Sequence, residues 1–415
     1  MLHAFLISLA ILALLSIVFE EVTHLNKAKT TLFFGCIAWI TLFIAADTPS
    51  AEKLVEHNLN ENLLEIATLW LFLMSTMTFV AYLNAKGMIQ ILVQKLFPQR
   101  VSVRMLMIQV ALFSLILSAI CDNVTATLVS LGLLTTFELN KRMRRRMAVL
   151  IIFAVNSGGV ALITGDVTTL MIFLSGHLKI SELLILFLPA AISVMLLAVL
   201  FSRGAKGEVS TTPVQRQVQT VDLIIAGIFF TTIIMTMVMN IFFSIPPVLT
   251  FLTGLSVMFL VGHWFRSNKE ELRTLEYIRQ VEFDTLLFFL GILLLVGMLK
   301  EIGTLDLLTS VYTSYNPNVS NFFAGAGSAL LDNVPLTAAL LKANPALTTP
   351  EWLGLTYAVG VGGSLLVVGS AAGIIAMSKV KELTFVSYLK YVPMLTISYA
   401  FGYAITLLLA HQIYG

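Results

Sequence analysis

Eight residues of this chain occur twice in closely similar form. Ser118 to Thr125 reads S-A-I-C-D-N-V-T, and Ser328 to Pro335 reads S-A-L-L-D-N-V-P, 210 positions further along a chain of 415 residues. Each copy sets an ionisable Asp beside an Asn inside an apolar run. An ionised carboxylate in hydrocarbon costs at least ~2.5 kcal/mol, so it persists only where it faces water, a partner or a cargo ion. Two such points, half a chain length apart, predict two related halves organised around a pair of polar centres.

The surroundings identify the medium. The chain is 58% hydrophobic and 12% charged, against about 45–50% and about 25% in soluble domains. Its mean hydropathy is +0.93, and many apolar runs approach the 20 or so residues that span a bilayer. The predicted class is an all-α polytopic protein in contact with lipid. A net charge of +2, with the basic residues in short loops, gives no reason to expect a nucleic-acid partner. Cys36 and Cys121 fall in different apolar segments, so neither a disulfide framework nor a zinc site is expected. Met1 to Phe19 reads as a first span: it lacks a basic start and a small-residue cleavage site, and Glu20-Glu21 follows.

Spans are expected near 2–19, 30–46, 63–83, 147–175 and 182–201, then near 221–243, 247–264, 282–299, 352–376 and 388–411. A basic amphipathic stretch, Lys86 to Arg104, is expected at the interface. The Asp-Asn segments fall at 105–137 and 318–342. Residues 202–220 form the long polar linker, dividing a first repeat (1–201) from a second (221–415). Glu65-Ile-Ala-Thr68-Leu and Glu282-Phe-Asp-Thr285-Leu open the third span of each half. After each motif come a glycine pair, Gly158-Gly159 or Gly362-Gly363, and a glycine six residues later, Gly165 or Gly369.

Charge orients the halves, because short cytoplasmic loops are enriched in Lys and Arg. The first motif segment is basic on both flanks, with Arg100 and Arg104 before it and Lys141 to Arg146 after it. With arms of roughly 15 residues, about 22 Å of helix against a ~30 Å core, it should enter, turn near Asp122 and return on the same side. The second motif segment has largely neutral flanks and should enter from outside. The linker and the loop before the ninth span, with Arg266, Lys269, Arg273 and Arg279, read as cytoplasmic. The second half is then inverted, a common transporter plan with binding at the midplane.

Asp122-Asn123 and Asp332-Asn333 are expected at the hairpin tips, where irregular backbone survives only if buried in protein or lining a cavity. There a carboxylate, an amide oxygen and backbone carbonyls form an all-oxygen environment suited to a hard cation. Each Asp is also a good cap for the returning helix, and capping and coordination can coexist. Asn156-Ser-Gly-Gly and Thr164-Gly-Asp166-Val-Thr168-Thr169 lie within one apolar segment and should break its helix. The second half carries Ser370 where the first has Asp166, and Gly360 where it has Asn156; Ser364 and Ser370 can instead bond back to their own helix. Glu65 and Glu282 are candidates for a proton path or for interfacial positions. His24, His57, His177 and His263 are expected in loops or at span ends. No P-loop, Ser-His-Asp set or zinc motif is present, so no enzyme and no cofactor is expected.

The paired D-N-V tips, Asn156-Ser-Gly-Gly and Thr164-Gly-Asp-Val-Thr-Thr resemble the NhaD-type sodium/proton antiporters of the ion transporter superfamily, over most of the chain. The resemblance implies export of Na⁺ or Li⁺ in exchange for H⁺ across a bacterial inner membrane. It implies a homodimer in which a transport domain moves against a scaffold. It carries the transport site onto Asp122, Asn123, Thr125, Asn156, Thr164, Asp166, Thr168, Thr169, Ser328, Asp332, Asn333, Ser364 and Ser370. Arsenite-permease relatives share Asp-Asn tips, so an oxyanion or carboxylate permease is the alternative, and a channel is a third class. Charge favours the cation: Asp122, Asp166 and Asp332 stand among stretches (118–130, 154–176, 325–340 and 358–376) without Lys or Arg.

Overall fold

The computed structural model describes residues 2–18, 25–88, 91, 100–134, 137, 139–203, 205, 207–210, 219–265, 274–281 and 283–415. Helices dominate it. The first half contains α1 (Leu2–Val18), α2 (Lys27–Ile44), α3 (Pro49–Ala85), α4 (Val103–Ile120), α5 (Asn123–Leu134), α6 (Lys141–Gly159), α7 (Val167–Leu174), α8 (Ile180–Leu183) and α9 (Phe187–Ser202). The second contains α10 (Thr220–Phe243), α11 (Pro247–Trp264), α12 (Phe283–Glu301), α13 (Asp306–Ser314), α14 (Pro317–Leu331), α15 (Asn333–Ala343), α16 (Thr349–Gly362), α17 (Ala371–Lys379), α18 (Phe385–Leu389) and α19 (Val392–Tyr414). Eight helical stretches among the described residues are long and apolar enough to cross a membrane.

Local sequence explains the boundaries that matter. Asn26 caps α2 by accepting from Ala28 N at 2.9 Å, Asn140 caps α6 through Met143 N, and Asn316 with Pro317 starts α14. The expected spans at 147–175 and 352–376 are each broken. The first stops at Gly159 and resumes at Val167, capped by Asp166; the second stops at Gly362 and resumes at Ala371, capped by Ser370. Each Asp-Asn motif likewise separates two helices that pack on each other, α4 from α5 and α14 from α15.

Three expectations are revised. The polar stretch before the third span is not a loop: α3 runs unbroken from Pro49 for 37 residues, started by the Thr48 cap and a proline at its first position, and His57 lies on it beside Glu61. The first arm of the first motif segment is longer than anticipated, 18 residues. His177, expected in a solvated loop, stacks on Trp352 at 3.8 Å between ring centroids, and burial holds its imidazole below the usual range. The interfacial stretch is described only in part. Arg100–Ser102 pairs antiparallel with Glu208–Ser210 of the linker, whereas residues 89–90 and 92–99 lie outside the described residues. His24, Glu282 and residues 266–273 also lie outside them.

The helices pack in two groups, each drawing on both halves of the sequence. In the first, α2 lies along α12, and α1, α3, α10 and α11 complete the packing. The α2–α12 crossing is close because both sides offer glycine: a Cβ on Gly35 would stand 2.9 Å from the Gly291 carbonyl oxygen. Trp39 Nε1 donates to Leu294 O across it at 2.9 Å. In the second group, α4 packs on α6 and α14 on α16, joined by α5, α7, α9, α15, α17 and α19. The same bond recurs in both pairs: Ser118 Oγ donates to Val155 O at 2.7 Å, and Ser328 Oγ to Val359 O at 2.6 Å.

Candidate ion-binding site

A cavity of about 500 Å³ opens where the two groups meet. From the second group, Asp122, Asn123, Thr164, Asp166, Asp332, Asn333 and Ser370 line it. All sit at helix breaks, so backbone ends and side chains converge on one space. The first group contributes Asn26, Lys27, Leu73, Met77, Asp284 and Phe288.

The carboxylates are held by local caps and by bonds between halves. Asp122 accepts from Thr125 N at 2.9 Å and from Thr125 Oγ1 at 2.8 Å. Asp166 accepts from Thr168 N at 3.1 Å through Oδ1, and from Asn333 Nδ2 at 3.1 Å through Oδ2. Asn123 is oriented by Ser118 Oγ, which donates to its Oδ1 at 2.7 Å. Asp332 accepts from Asn333 N at 2.8 Å. Its φ of 71° and ψ of 147° lie in a region that L-residues other than glycine rarely adopt. Capping and cavity lining therefore coincide at both tips.

The broken helices cross with a near-symmetric exchange of partners. Asn156 Nδ2 donates to Ser370 Oγ at 2.9 Å. The residues 204 positions from this pair in the other half are Gly360 and Asp166, which also meet: a Cβ on Gly360 would stand 3.9 Å from Asp166 Oδ2. Asn156 Oδ1, Ser157 Oγ and Thr168 Oγ1, all buried, have no hydrogen-bond partner among the described residues. Such groups are costly to leave unpaired, and all three stand on the helices that flank the break at residues 160–166, behind the cavity lining.

Other anticipated residues support the cavity without lining it. Ser328 and Thr169 bond backbone carbonyls, the latter Gly159 O at 3.2 Å. Ser364 Oγ bonds back to Val361 O at 2.6 Å. Glu65 is exposed and pairs with Lys342, away from the cavity. The charge argument needs one correction. The named stretches lack Lys and Arg, but Lys27 of α2 reaches the cavity, and its Nζ lies 3.3 Å from Asp332 Oδ2. The sequence reading missed Lys27 and Asn26 and passed over Asp284. The one available signal was a lysine at the first position of a helix, the end the dipole makes unfavourable for a cation.

A family model described as a citrate transporter matches residues 2–360. The Na⁺/H⁺ antiporter NhaD of Alkalimonas amylolytica is 30% identical, covering 97% of this chain and 89% of its own length. The chain belongs to the NhaD antiporter family. The NhaD protein of Vibrio cholerae is 29% identical over 95% of this chain and 89% of its own length. Sodium/proton antiporter 1 of Arabidopsis thaliana is 27% identical over 88% of this chain and 65% of its own length. Four aspartates of this NhaD-family chain, Asp122, Asp166, Asp284 and Asp332, line one cavity.

Proposed function

We propose that the cavity is the exchange site of this antiporter and that Na⁺ and H⁺ occupy its carboxylates alternately. The protein is a secondary active Na⁺(Li⁺)/H⁺ antiporter, not an enzyme, and its ions are substrates rather than cofactors. The observation that carries the site assignment is the convergence of Asp122, Asp166 and Asp332 with Asn123 and Asn333 on one cavity. A cation arriving there displaces protons, and reprotonation expels the cation, which gives obligatory exchange from one set of oxygens. Asn156, Thr168 and Ser370 supply further oxygens at the helix breaks.

Two inverted repeats, 1–201 and 221–415 about the 202–220 linker, with re-entrant hairpins at 105–137 and 318–342, account for the paired tips and the exchanged partners at the crossing. The helix group of α4–α7 and α14–α17 is then the moving domain and the α2–α12 group the scaffold, in a homodimer of a bacterial inner membrane. Glu65 and Glu282 remain candidates for the proton path. The carboxylate-permease reading draws on the family description and on Lys27. Lys27 is, however, matched by Asp332, and Asp122, Asp166 and Asp284 leave the cavity with an excess of acids, which disfavours an anion.

The test is the pH dependence of Na⁺-driven ΔpH dissipation in everted vesicles. Half-saturating Na⁺ should fall as pH rises, because fewer protons compete. Half-saturation that stays constant while only the maximal rate changes with pH would rule out shared carboxylates.

A further inference from the structure

Lys27 is out of place by every local rule. It occupies the first position of α2, where the helix dipole repels a cation, and only 20% of its side chain is exposed. Its position is set by the close α2–α12 crossing, anchored through Gly35, Gly291 and Trp39. A conflict between local preference and tertiary placement is expected where function requires it.

Two of the contacts that the ammonium makes bear on the cavity. Its Nζ donates to Asp332 Oδ2 at 3.3 Å, and it lies 4.6 Å from the centroid of the Phe288 ring. Asp332 is nearly buried, with 6% of its side chain exposed. Asn26, next to Lys27, donates to Asp284 Oδ2 at 3.1 Å, so the neighbouring acid has a neutral donor of its own.

We propose that Lys27 is a tethered cation that competes with Na⁺ for Asp332. The inference rests on the cavity being the exchange site. With Na⁺ absent, the ammonium neutralises the buried carboxylate, which would otherwise stand uncompensated. Arriving Na⁺ takes over that charge, and the ammonium moves off Asp332 while keeping a cation–π contact with Phe288. The exchange lowers Na⁺ affinity and speeds release. It also removes an ion pair between the two helix groups at the moment the cargo binds, since Lys27 belongs to α2 and Asp332 to the α14–α15 tip.

The test uses the whole protein in proteoliposomes at alkaline pH, reading ΔpH dissipation against Na⁺. Lys27→Met should lower half-saturating Na⁺ by about tenfold, equivalent to about 1.4 kcal/mol, and reduce the maximal rate because release slows. Lys27→Arg, which keeps the charge, should return half-saturation to the wild-type range. Unchanged or higher half-saturation in Lys27→Met, with Na⁺ response lost in Asp332→Asn, overturns the role of Lys27 and leaves the site assignment standing. Wild-type Na⁺ response in Asp122→Asn, Asp166→Asn and Asp332→Asn alike overturns the site assignment itself. If Lys27→Met fails to insert, reductive methylation of the wild-type protein decides. Na⁺, but not choline, should accelerate modification of Lys27, and the absence of acceleration refutes displacement.

Discussion

Asn333 Nδ2 donates to Asp166 Oδ2 at 3.1 Å, although the two residues are 167 positions apart. The bond ties the second Asp-Asn tip to the cap of the first broken helix, so the cavity is closed by partners from opposite halves. A hydrogen bond to a buried carboxylate is among the stronger ones.

Removing this donor should weaken the site more than removing a neutral equivalent. Asn333→Ala is expected to raise half-saturating Na⁺ about ten- to a hundredfold, the equivalent of about 1.5–3 kcal/mol for a bond to a charged group. Asp166→Asn should impair exchange more than Ser370→Ala, because Ser370 carries no titratable proton. Everted vesicles at matched expression would show this. Comparable exchange in Asp166→Asn and wild type would remove Asp166 from the site.

Asp332 holds a backbone conformation suited to glycine, with φ of 71°. Asp332→Gly and Asp332→Ala both lose the carboxylate, the helix cap and the Lys27 partner, so they differ chiefly in backbone strain. The glycine variant should be the more stable by about 1–2 kcal/mol, the reverse of the usual order. Thermal unfolding of the two purified proteins tests this, and equal midpoints would mean that the tip relaxes without strain.

Helix crossings near the site tolerate no added methyl. A Cβ on Gly158 would collide with the Leu115 backbone, where α6 crosses α4, whereas one on Gly227 meets nothing within 4 Å. Gly158→Ala should therefore unfold at markedly lower temperature, while Gly227→Ala should match or exceed the wild type through better helix propensity. Similar midpoints for both would contradict the close α4–α6 packing.

The proposed inversion of the halves makes a prediction about sides. In a background without Cys36 and Cys121, a cysteine at Arg142 should react with an impermeant maleimide only in everted vesicles. One at Asn316 should react only in right-side-out vesicles or cells. Labelling of both from the same face would exclude the inverted arrangement.

Sequence alone determined the medium, the helical class and the polar points. Apolar runs of spanning length leave the backbone no alternative to internal hydrogen bonding. Asp122, Asp166 and Asp332 stood out because ionisable groups are rare in such runs, and the breaks at Gly159 and Gly362 followed from glycine pairs. Those signals are local: each is carried by residues within a few positions of one another. Tertiary structure alone decided which polar points meet. Lys27 reaches Asp332 from 305 positions away, and Asp284 joins the cavity because α12 packs along α2. Hydropathy records only that a residue enters the apolar phase. Its partner there is set by close packing at crossings such as Gly35–Gly291, where the shape of two surfaces, not the pattern of either, fixes the register.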